Sequence, residues 1–320
     1  MLAPLDAFPP ALRSRIRTSV PLAPLTTLRV GGPAEAFFEA RSEADLIEAA
    51  AAAQQTGLPC FVLAGGSNLC ISDRGIRGLV IHNRARECTI GEMTSVASGH
   101  GMIPLVLKAA EAGLGGLEFA IGIPGSVGGA LVSNAGAYRR CIAPFVCSVR
   151  VVMEGCLRTF HPDWMEFAYR SSRLRRPGAP RACLIAVDLH LTRRSRADIL
   201  AEACEYQQNR IHRQPWEPSA GSFFKNVENI ELANRLDGLP QRFRDAGVVP
   251  AGYLSDACGC RGMRLGDAQI SPWHGNFIVN TGRATASEVR ALAEEVKRRV
   301  MDRFGVQLEE EVIYAGDWSE

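Results

Sequence analysis

The chain has little net charge, few aromatic residues and no long apolar run, and these shortages exclude whole classes of function. Its 36 basic and 34 acidic residues leave a formal charge of +2, so no overall field recruits nucleic acid or an anionic lipid surface. The most apolar stretches, Leu46 to Ala53 and Ala130 to Val132, fall far short of the about 18 consecutive apolar residues that a membrane-crossing helix needs. The N-terminal stretch lacks a basic segment followed by an apolar core and a cleavage site, which reads as no secretory signal and predicts a cytoplasmic location. Ten cysteines are dispersed along the chain, and with no export signal they read as free thiols, not a disulfide scaffold. The one close pair, Cys258-Gly-Cys260, has neither the two-residue spacer nor the second ligand pair of a zinc site, and no metal is expected. Neither a GxGxxG turn nor a GxxxxGK[ST] loop occurs, so the commonest nucleotide folds are not supported.

What is present describes a globular enzyme-sized protein. Hydrophobic residues make up 47% and charged residues 22% of the 320 positions, enough for two or three packed units. Residues 1–25 are Pro-rich and weakly patterned and read as an arm laid over the surface. Ser42 with Asp45 suggests a capping box that opens an Ala-rich helix to Gln55. Cys60 to Leu63 and Gly78 to His82 read as short buried strands on either side of a tight loop. Ile103 to Ala112 has helical spacing with Gly113 past its end. Val149 to Met153 and Cys156 to Phe160 flank Glu154-Gly155 as a β-hairpin, and Leu184 to Leu191 is a further strand. Ser195 with Asp198 and Thr285 with Glu288 are two more candidate capping boxes. A last strand, Val306 to Tyr314, alternates so that Glu309 and Glu311 share a face. The expected class is α+β, with boundaries giving an arm at 1–25, a first domain at 26–194 and a second at 195–320.

Several segments are richer in chemistry than a turn requires. Ala64-Gly65-Gly66-Ser67-Asn68 follows a strand, where adjacent glycines turn backbone N–H groups toward a phosphate and Ser67 and Asn68 add donors; the same pattern also serves as a plain turn. Gly122-Ile123-Pro-Gly125-Ser126-Val-Gly128-Gly129 is either a backbone surface for a flat or phosphorylated ligand or a bend packed under a neighbour. Gly221-Ser222-Phe-Phe-Lys225-Asn226 groups a hydroxyl, an amine and an amide; the alternative is a strand edge with a satisfied serine. Tyr169-Arg170 offers a guanidinium suited to a carboxylate, or a surface ion pair. Glu311 closes a run of glutamates that could equally be a solvated face.

These motifs occur together and in order, with Thr27-Leu-Arg-Val-Gly-Gly-Pro33, Gly116-Leu-Glu-Phe-Ala-Ile before Gly122, Asn134-Ala-Gly-Ala-Tyr138, Pro250-Ala-Gly252 and Leu308 to Val312. The series resembles the UDP-N-acetylenolpyruvoylglucosamine reductase (MurB) family from about Thr26 to Val312. The resemblance implies a two-subdomain FAD-binding fold of the vanillyl-alcohol-oxidase (PCMH) type followed by an α/β substrate domain, with the C-terminal strand returning to the active site. It implies NADPH as reductant and the enolpyruvyl ether of UDP-N-acetylglucosamine as substrate in cell-wall precursor synthesis; the sequence leaves the oligomeric state open, with a monomer favoured. It assigns Gly65, Gly66, Ser67, Asn68, Gly122, Ile123, Gly125, Ser126, Gly128, Gly129 and Asn134 to the cofactor. Ser222 becomes the proton donor, with Arg170 and Glu311 as the other catalytic residues. A serine is a poor acid and must be polarised by neighbours, for which Lys225 is one candidate. Tyr169, Arg213, Lys225 and Asn226 are implied to bind substrate.

The chain departs from the family pattern in places. Val227 stands where a proline usually follows Lys-Asn, the stretch Glu228 to Val249 is inserted, Arg139 replaces a glycine, and Leu254-Ser-Asp-Ala-Cys-Gly replaces an isoleucine-glutamate pair. The short spacing from Tyr169 to Ser222 resembles the subtype without an extra substrate-covering tyrosine loop. His274, in Trp273-His-Gly-Asn276, is expected to be structural. Two other readings stay open from the residues alone: another flavin oxidoreductase of the same fold, or a non-catalytic flavoprotein.

Overall fold

A computed structural model describes residues 8–319, and the chain divides into two compact units. The first holds the described residues to Val20 with Ala34–Gly65 and Ile76–His212; the second holds Pro21–Pro33, Gly66–Gly75 and Arg213 onward. The division after His212 differs from the boundary expected at 194/195. Helix Arg196–Ile211 packs on Met102–Glu111 and Glu118–Ala120, burying Ile199 and Ala203 in the first unit. The expected N-terminal arm is also built in from Phe8: Phe8 and Leu12 are buried in a core and Arg17–Pro21 is a sheet strand. The first seven residues of that arm lie outside the described residues.

Besides two two-stranded pairs, the first unit contains two larger sheets. In one the order is Arg17–Pro21, Pro33–Ala40, Ile76–Asn83, Cys60–Leu63, with the last three parallel. The other is antiparallel, in the order Cys156–Phe160, Val146–Met153, Ala182–His190, Met93–Ala97, Cys88–Thr89. Its hairpin turns at Glu154 and Gly155, with φ of 55° and 73°, the paired left-handed geometry that matches strand twist. Helix Glu43–Gln55 touches strands of both sheets, and its buried face is Leu46 with Ala49, Ala50, Ala52 and Ala53. Alanine allows that close approach at no helix-propensity cost. Ser42 caps the helix by accepting from Asp45 N at 3.1 Å, whereas the Asp45 carboxylate turns to Arg41 N and to Arg15. Ser195 makes no side-chain cap bond, contrary to the expectation there.

A buried carboxylate ties the first unit's Gly-rich segment down. Glu118 is 1% exposed; both of its oxygens accept from Gly116 N at 2.9 Å, and Arg194 Nη1 reaches Oε1 at 2.9 Å. Arg194 and Arg140 also share Glu202, so the charges alternate in sign across one cluster.

The second unit is an antiparallel sheet, Ser219–Ser222, Phe277–Asn280, Ala268–Ile270, Arg264–Leu265, covered by helix Ala286–Phe304. That helix starts in a full capping box between Thr285 and Glu288 and ends at Gly305 with φ 68°, as the sequence predicts. Val289, Leu292, Val296 and Val300 are buried along one stripe, each worth about 2 kcal/mol of removed apolar surface. The inserted stretch folds into a ribbon of Val227–Glu228 with Val248–Val249 and two short helices, Ile230–Arg235 and Gln241–Asp245. Leu232, Ala233, Leu239 and Val249 root it in the core. The expected final strand is shorter: Ile313–Ala315 pairs in parallel with Leu69–Ile71. Before it, among the described residues, Glu310 alone forms a bridge, to Phe224, and Glu309 and Glu310 pair with Lys225 and Lys297. Among the described residues no helix is long and apolar enough to cross a membrane, and no group of three His, Cys, Asp or Glu side chains is placed to hold a metal. All ten cysteines are free.

Two stability measurements follow. Glu118→Ala strips the Gly116 amide of its charged acceptor and should cost about 2–3 kcal/mol, read as a lower midpoint in urea; an unchanged midpoint contradicts the anchoring role. The arginine pairs, over a third exposed, add little to that figure. His82 is buried, with Nδ1 lacking a hydrogen-bond partner and Glu39 3.9 Å away. Burial holds this imidazole below its ordinary 6.5, against the pull of Glu39 and with Arg84, Arg86 and Arg17 adding to the effect. The unfolded chain therefore takes up the proton first. Stability is whole above pH 6.5 and declines as pH falls below it, by at most about 1.4 kcal/mol per pH unit for this group. His82→Phe should flatten the change in melting temperature between about pH 7.5 and 5.5; an equal slope in both proteins removes His82 as its source.

Candidate active site

In the first unit the two Gly-rich loops meet backbone to backbone. A Cβ on Gly65 would lie 2.7 Å from Gly125 Cα, so only glycine fits at 65. Gly125 has φ 106°, and its carbonyl accepts from Met102 N at 3.0 Å. The backbone N–H groups of Gly65, Gly125 and Ser126 donate to no acceptor among the described residues. Amides without an internal acceptor, beside a chain with no side-chain bulk, fit the diphosphate of a dinucleotide. The rest of the second loop is used internally. Val127 N donates to His100 O, Gly128 N to Ser98 O, and Gly129 N to the Ser126 hydroxyl. A Cβ on Gly128 would sit 2.9 Å from Ser98 Cβ, so this glycine serves close packing. Gly122 does the same against Arg210, whose Cδ would be 2.2 Å from an added Cβ. Ile123 packs against the core.

Asn134 and Arg170 belong to one arrangement. Asn134, 7% exposed and at φ 43°, donates from Nδ2 to Ala168 O at 2.9 Å and accepts from Ala143 N at 3.3 Å. Both ends of its amide are thus spent on backbone. Ala168 and Ser171 exchange two backbone bonds around Tyr169 and Arg170, and Arg170 adopts φ 50°. A left-handed arginine costs about 1 kcal/mol, and such strain gathers at functional positions. Arg170 Nη2 donates to Gly136 O at 2.8 Å, and its guanidinium lies 5.3 Å from the half-exposed Tyr169 ring. Arg210 is the residue that sequence reasoning missed here. Its burial lowers the guanidinium from its ordinary value, with Tyr138 opposing and Arg170 adding to the effect.

In the second unit Ser222 ends the first strand after a register shift, with Gly221 at φ 80°. Its neighbours Phe223 and Phe224 are both buried, and the segment is held at both edges. On one edge Phe223 N donates to Asn276 O, and the Asn276 amide pairs with both the N–H and the C=O of Phe224. On the other, Glu311 N donates to Phe223 O at 2.8 Å and Lys225 N to Glu309 O at 2.8 Å. Ser222 and Glu311 are thereby brought onto adjacent backbone. Asn68 joins them: its Nδ2 donates to Glu311 O at 2.9 Å and its carbonyl accepts from Ile313 N. Gly66, at φ 57°, lies against Leu25 O and Thr26 Cα, and its carbonyl accepts from Thr27 N at 3.1 Å. Ser67 follows it, half-buried.

Lys225 Nζ is bonded to Glu309 at 3.0 Å, in a pair whose carboxylate is largely exposed. Asn226 Oδ1 accepts from Ala251 N at 3.3 Å, at the start of helix Ala251–Ala257. Arg213 is exposed in a turn. His274 Nδ1 accepts from Asn276 N at 3.1 Å. Its burial lowers the imidazole from its ordinary value, Asp256 opposing and Arg261 adding to the effect.

Comparison with known proteins matches this division of the chain. A family model described as FAD binding domain covers residues 34–155, and one described as UDP-N-acetylenolpyruvoylglucosamine reductase, C-terminal domain, covers residues 213–315. Proteins named UDP-N-acetylenolpyruvoylglucosamine reductase from Synechococcus sp. (strain JA-3-3Ab) and Solibacter usitatus (strain Ellin6076) are 36% and 37% identical. These alignments span 97% and 94% of this chain and 94% and 97% of the relatives. A crystal structure of UDP-N-acetylenolpyruvylglucosamine reductase (MurB) from Thermus caldophilus superposes with a TM-score of 0.75 at 35% identity, covering 94% of this chain and 98% of that one. The chain therefore belongs to the UDP-N-acetylenolpyruvoylglucosamine reductase family.

Proposed function

We propose that this protein is an FAD-dependent, NADPH-driven UDP-N-acetylmuramate dehydrogenase. It reduces the enolpyruvyl ether of UDP-N-acetylglucosamine to UDP-N-acetylmuramate for peptidoglycan synthesis, in the cytoplasm. The observation that carries the reading is the junction of Ser222 with Glu311 through Phe223 O, in a chain whose first unit presents unspent glycine amides. We assign the flavin to the first unit together with Gly66, Ser67 and Asn68, and the UDP-sugar mainly to the second. FAD, when bound, supplies the hydride taken from NADPH to the terminal carbon of the enol ether.

The residues of the chain then manage charge and proton. Addition at the terminal carbon leaves negative charge on the neighbouring carbon and its carboxylate. Arg170, a permanent cation held in one orientation by Gly136 O, is assigned to that carboxylate, with Tyr169 beside it. Glu311 is assigned a hydrogen bond to the same end of the substrate. Ser222 delivers the proton to the carbon next to the carboxylate, so that hydride and proton together complete the two-electron reduction. Lys225, Asn226 and Arg213 are assigned to the UDP portion, for which Lys225 offers a cation already ordered by Glu309.

Two experiments test these assignments. Gly65→Val places side-chain atoms where Gly125 stands and should yield a folded but largely colourless protein, with FAD affinity down at least about 100-fold by fluorescence titration. Full yellow colour in that variant would falsify the glycine contact. In stopped flow, Ser222→Ala should be reduced by NADPH at the parental rate and be reoxidised by the UDP-sugar enol ether about 100- to 10,000-fold more slowly. Near-parental reoxidation rules the serine out.

A further inference from the structure

We infer that Asn276 is a positioning residue for the proton donor: its side-chain amide takes the place of a missing strand residue and sets where Ser222 stands. The inference rests on the reading of Ser222 given above. The strand Ser219–Ser222 pairs with Phe277–Asn280 through Ser219 with Val279 and Ser222 with Phe277, and the register shifts between them. Beyond Ser222, the regular pairing stops. A backbone that leaves its ladder inside a core must find other partners, since an unpaired buried N–H or C=O costs about 1–3 kcal/mol. Asn276 supplies both partners. Its Oδ1 accepts from Phe224 N at 2.9 Å and its Nδ2 donates to Phe224 O at 2.9 Å, while its own carbonyl accepts from Phe223 N at 2.7 Å.

This side chain is 5% exposed and imitates a peptide group in size and polarity. Only asparagine does both jobs at this reach: aspartate loses the donor, and glutamine is one methylene too long. Asn276 is itself fixed from behind, because its N–H donates to His274 Nδ1 at 3.1 Å and His274 stacks edge-on against Phe277 with ring centroids 4.9 Å apart. The opposite edge of Phe223–Lys225 carries the bonds from Glu311 and to Glu309. Asn276 therefore holds the shared backbone through which Ser222 and Glu311 keep their spacing. A displacement of about 1 Å at such a point costs on the order of 100-fold in rate when a proton must reach one carbon.

The test uses the full chain with bound flavin and compares Asn276→Asp with Asn280→Asp and Ser222→Ala. Asn280 is an equally buried asparagine of the same sheet, but its amide serves Leu28 O, Gly282 N and Ala284 N. Asn276→Asp should keep reduction by NADPH within about 2-fold of the parent, slow reoxidation by the enol ether about 30- to 100-fold, and raise the solvent deuterium isotope effect on that step. Asn280→Asp should lower the melting temperature similarly and leave reoxidation within about 3-fold. The inference is overturned if Asn276→Asp reoxidises like Asn280→Asp while Ser222→Ala is slow. If Ser222→Ala is itself fast, the reading of the serine fails instead. Should the aspartate variant not retain flavin, His274→Phe takes its place. It keeps the ring on Phe277 but removes the acceptor behind Asn276; slowed reoxidation with normal reduction supports the inference, and parental reoxidation overturns it.

Discussion

The second unit is organised around a break in its sheet: the ladder stops at Ser222 while the chain continues through the buried pair Phe223 and Phe224. Successive strand side chains point to opposite faces, so burying both rings needs cover on both faces, and the backbone that leaves the ladder between them needs new partners. The freed amides and carbonyls are taken up by Asn276 on one edge and by residues 309–312 on the other. This departure from regularity leaves a hydroxyl at the end of a strand and draws a distant carboxyl-bearing segment alongside it. The long helix Ala286–Phe304 contributes by holding Glu310 through Lys297, which helps pin the approach of the terminal segment.

The first unit meets a different constraint, close approach of main chain to main chain. Gly65 and Gly125 leave no room for a Cβ between them, and Gly128 leaves none against Ser98. Such contacts gain little from side-chain burial, so they need external fixing. Glu118 supplies it at the start of the motif, by holding Gly116 N, and the pairing of His100, Gly101 and Met102 with residues 125–127 supplies it at the end. Asn134 plays for the Arg170 turn the part that Asn276 plays for the serine strand. In each unit a buried amide whose two ends are both bound to backbone holds a segment that carries chemistry.

What was legible in the sequence was local. Thr285 with Glu288 and the pair Glu154-Gly155 declare their structures through bonds and dihedrals that lie within a few residues. Ser195 with Asp198 carries the same letters but makes no such bond: Ser195 sits at φ −57°, away from the extended geometry of Ser42 and Thr285, which do cap their helices. The boundary after His212 was not legible either: Ile199 and Ala203 look like any amphipathic stripe, and only tertiary packing says which core receives them. Glycines in the Gly122–Gly129 loop read alike in sequence, yet Gly125 leaves its amide unspent while Gly128 and Gly129 use theirs internally. The inner role of Asn276 had no sequence signal beyond its nearness to His274, since the break it repairs arises from residues some fifty positions earlier.

The proposed chemistry sharpens why position matters so much at Ser222. A serine hydroxyl is a weak acid, and the Lys225 ammonium, three residues on, is shared with Glu309. General acid catalysis by a weak acid works when the accepting carbon carries developing charge and the proton lies on the line to it. Arg170, by drawing charge into the carboxylate, lowers the basicity of that carbon even as it stabilises it. The two requirements oppose each other, and a weak donor can satisfy both only over a short, fixed distance. That requirement falls on the backbone of Phe223 and Phe224, and hence on the two edges that hold it.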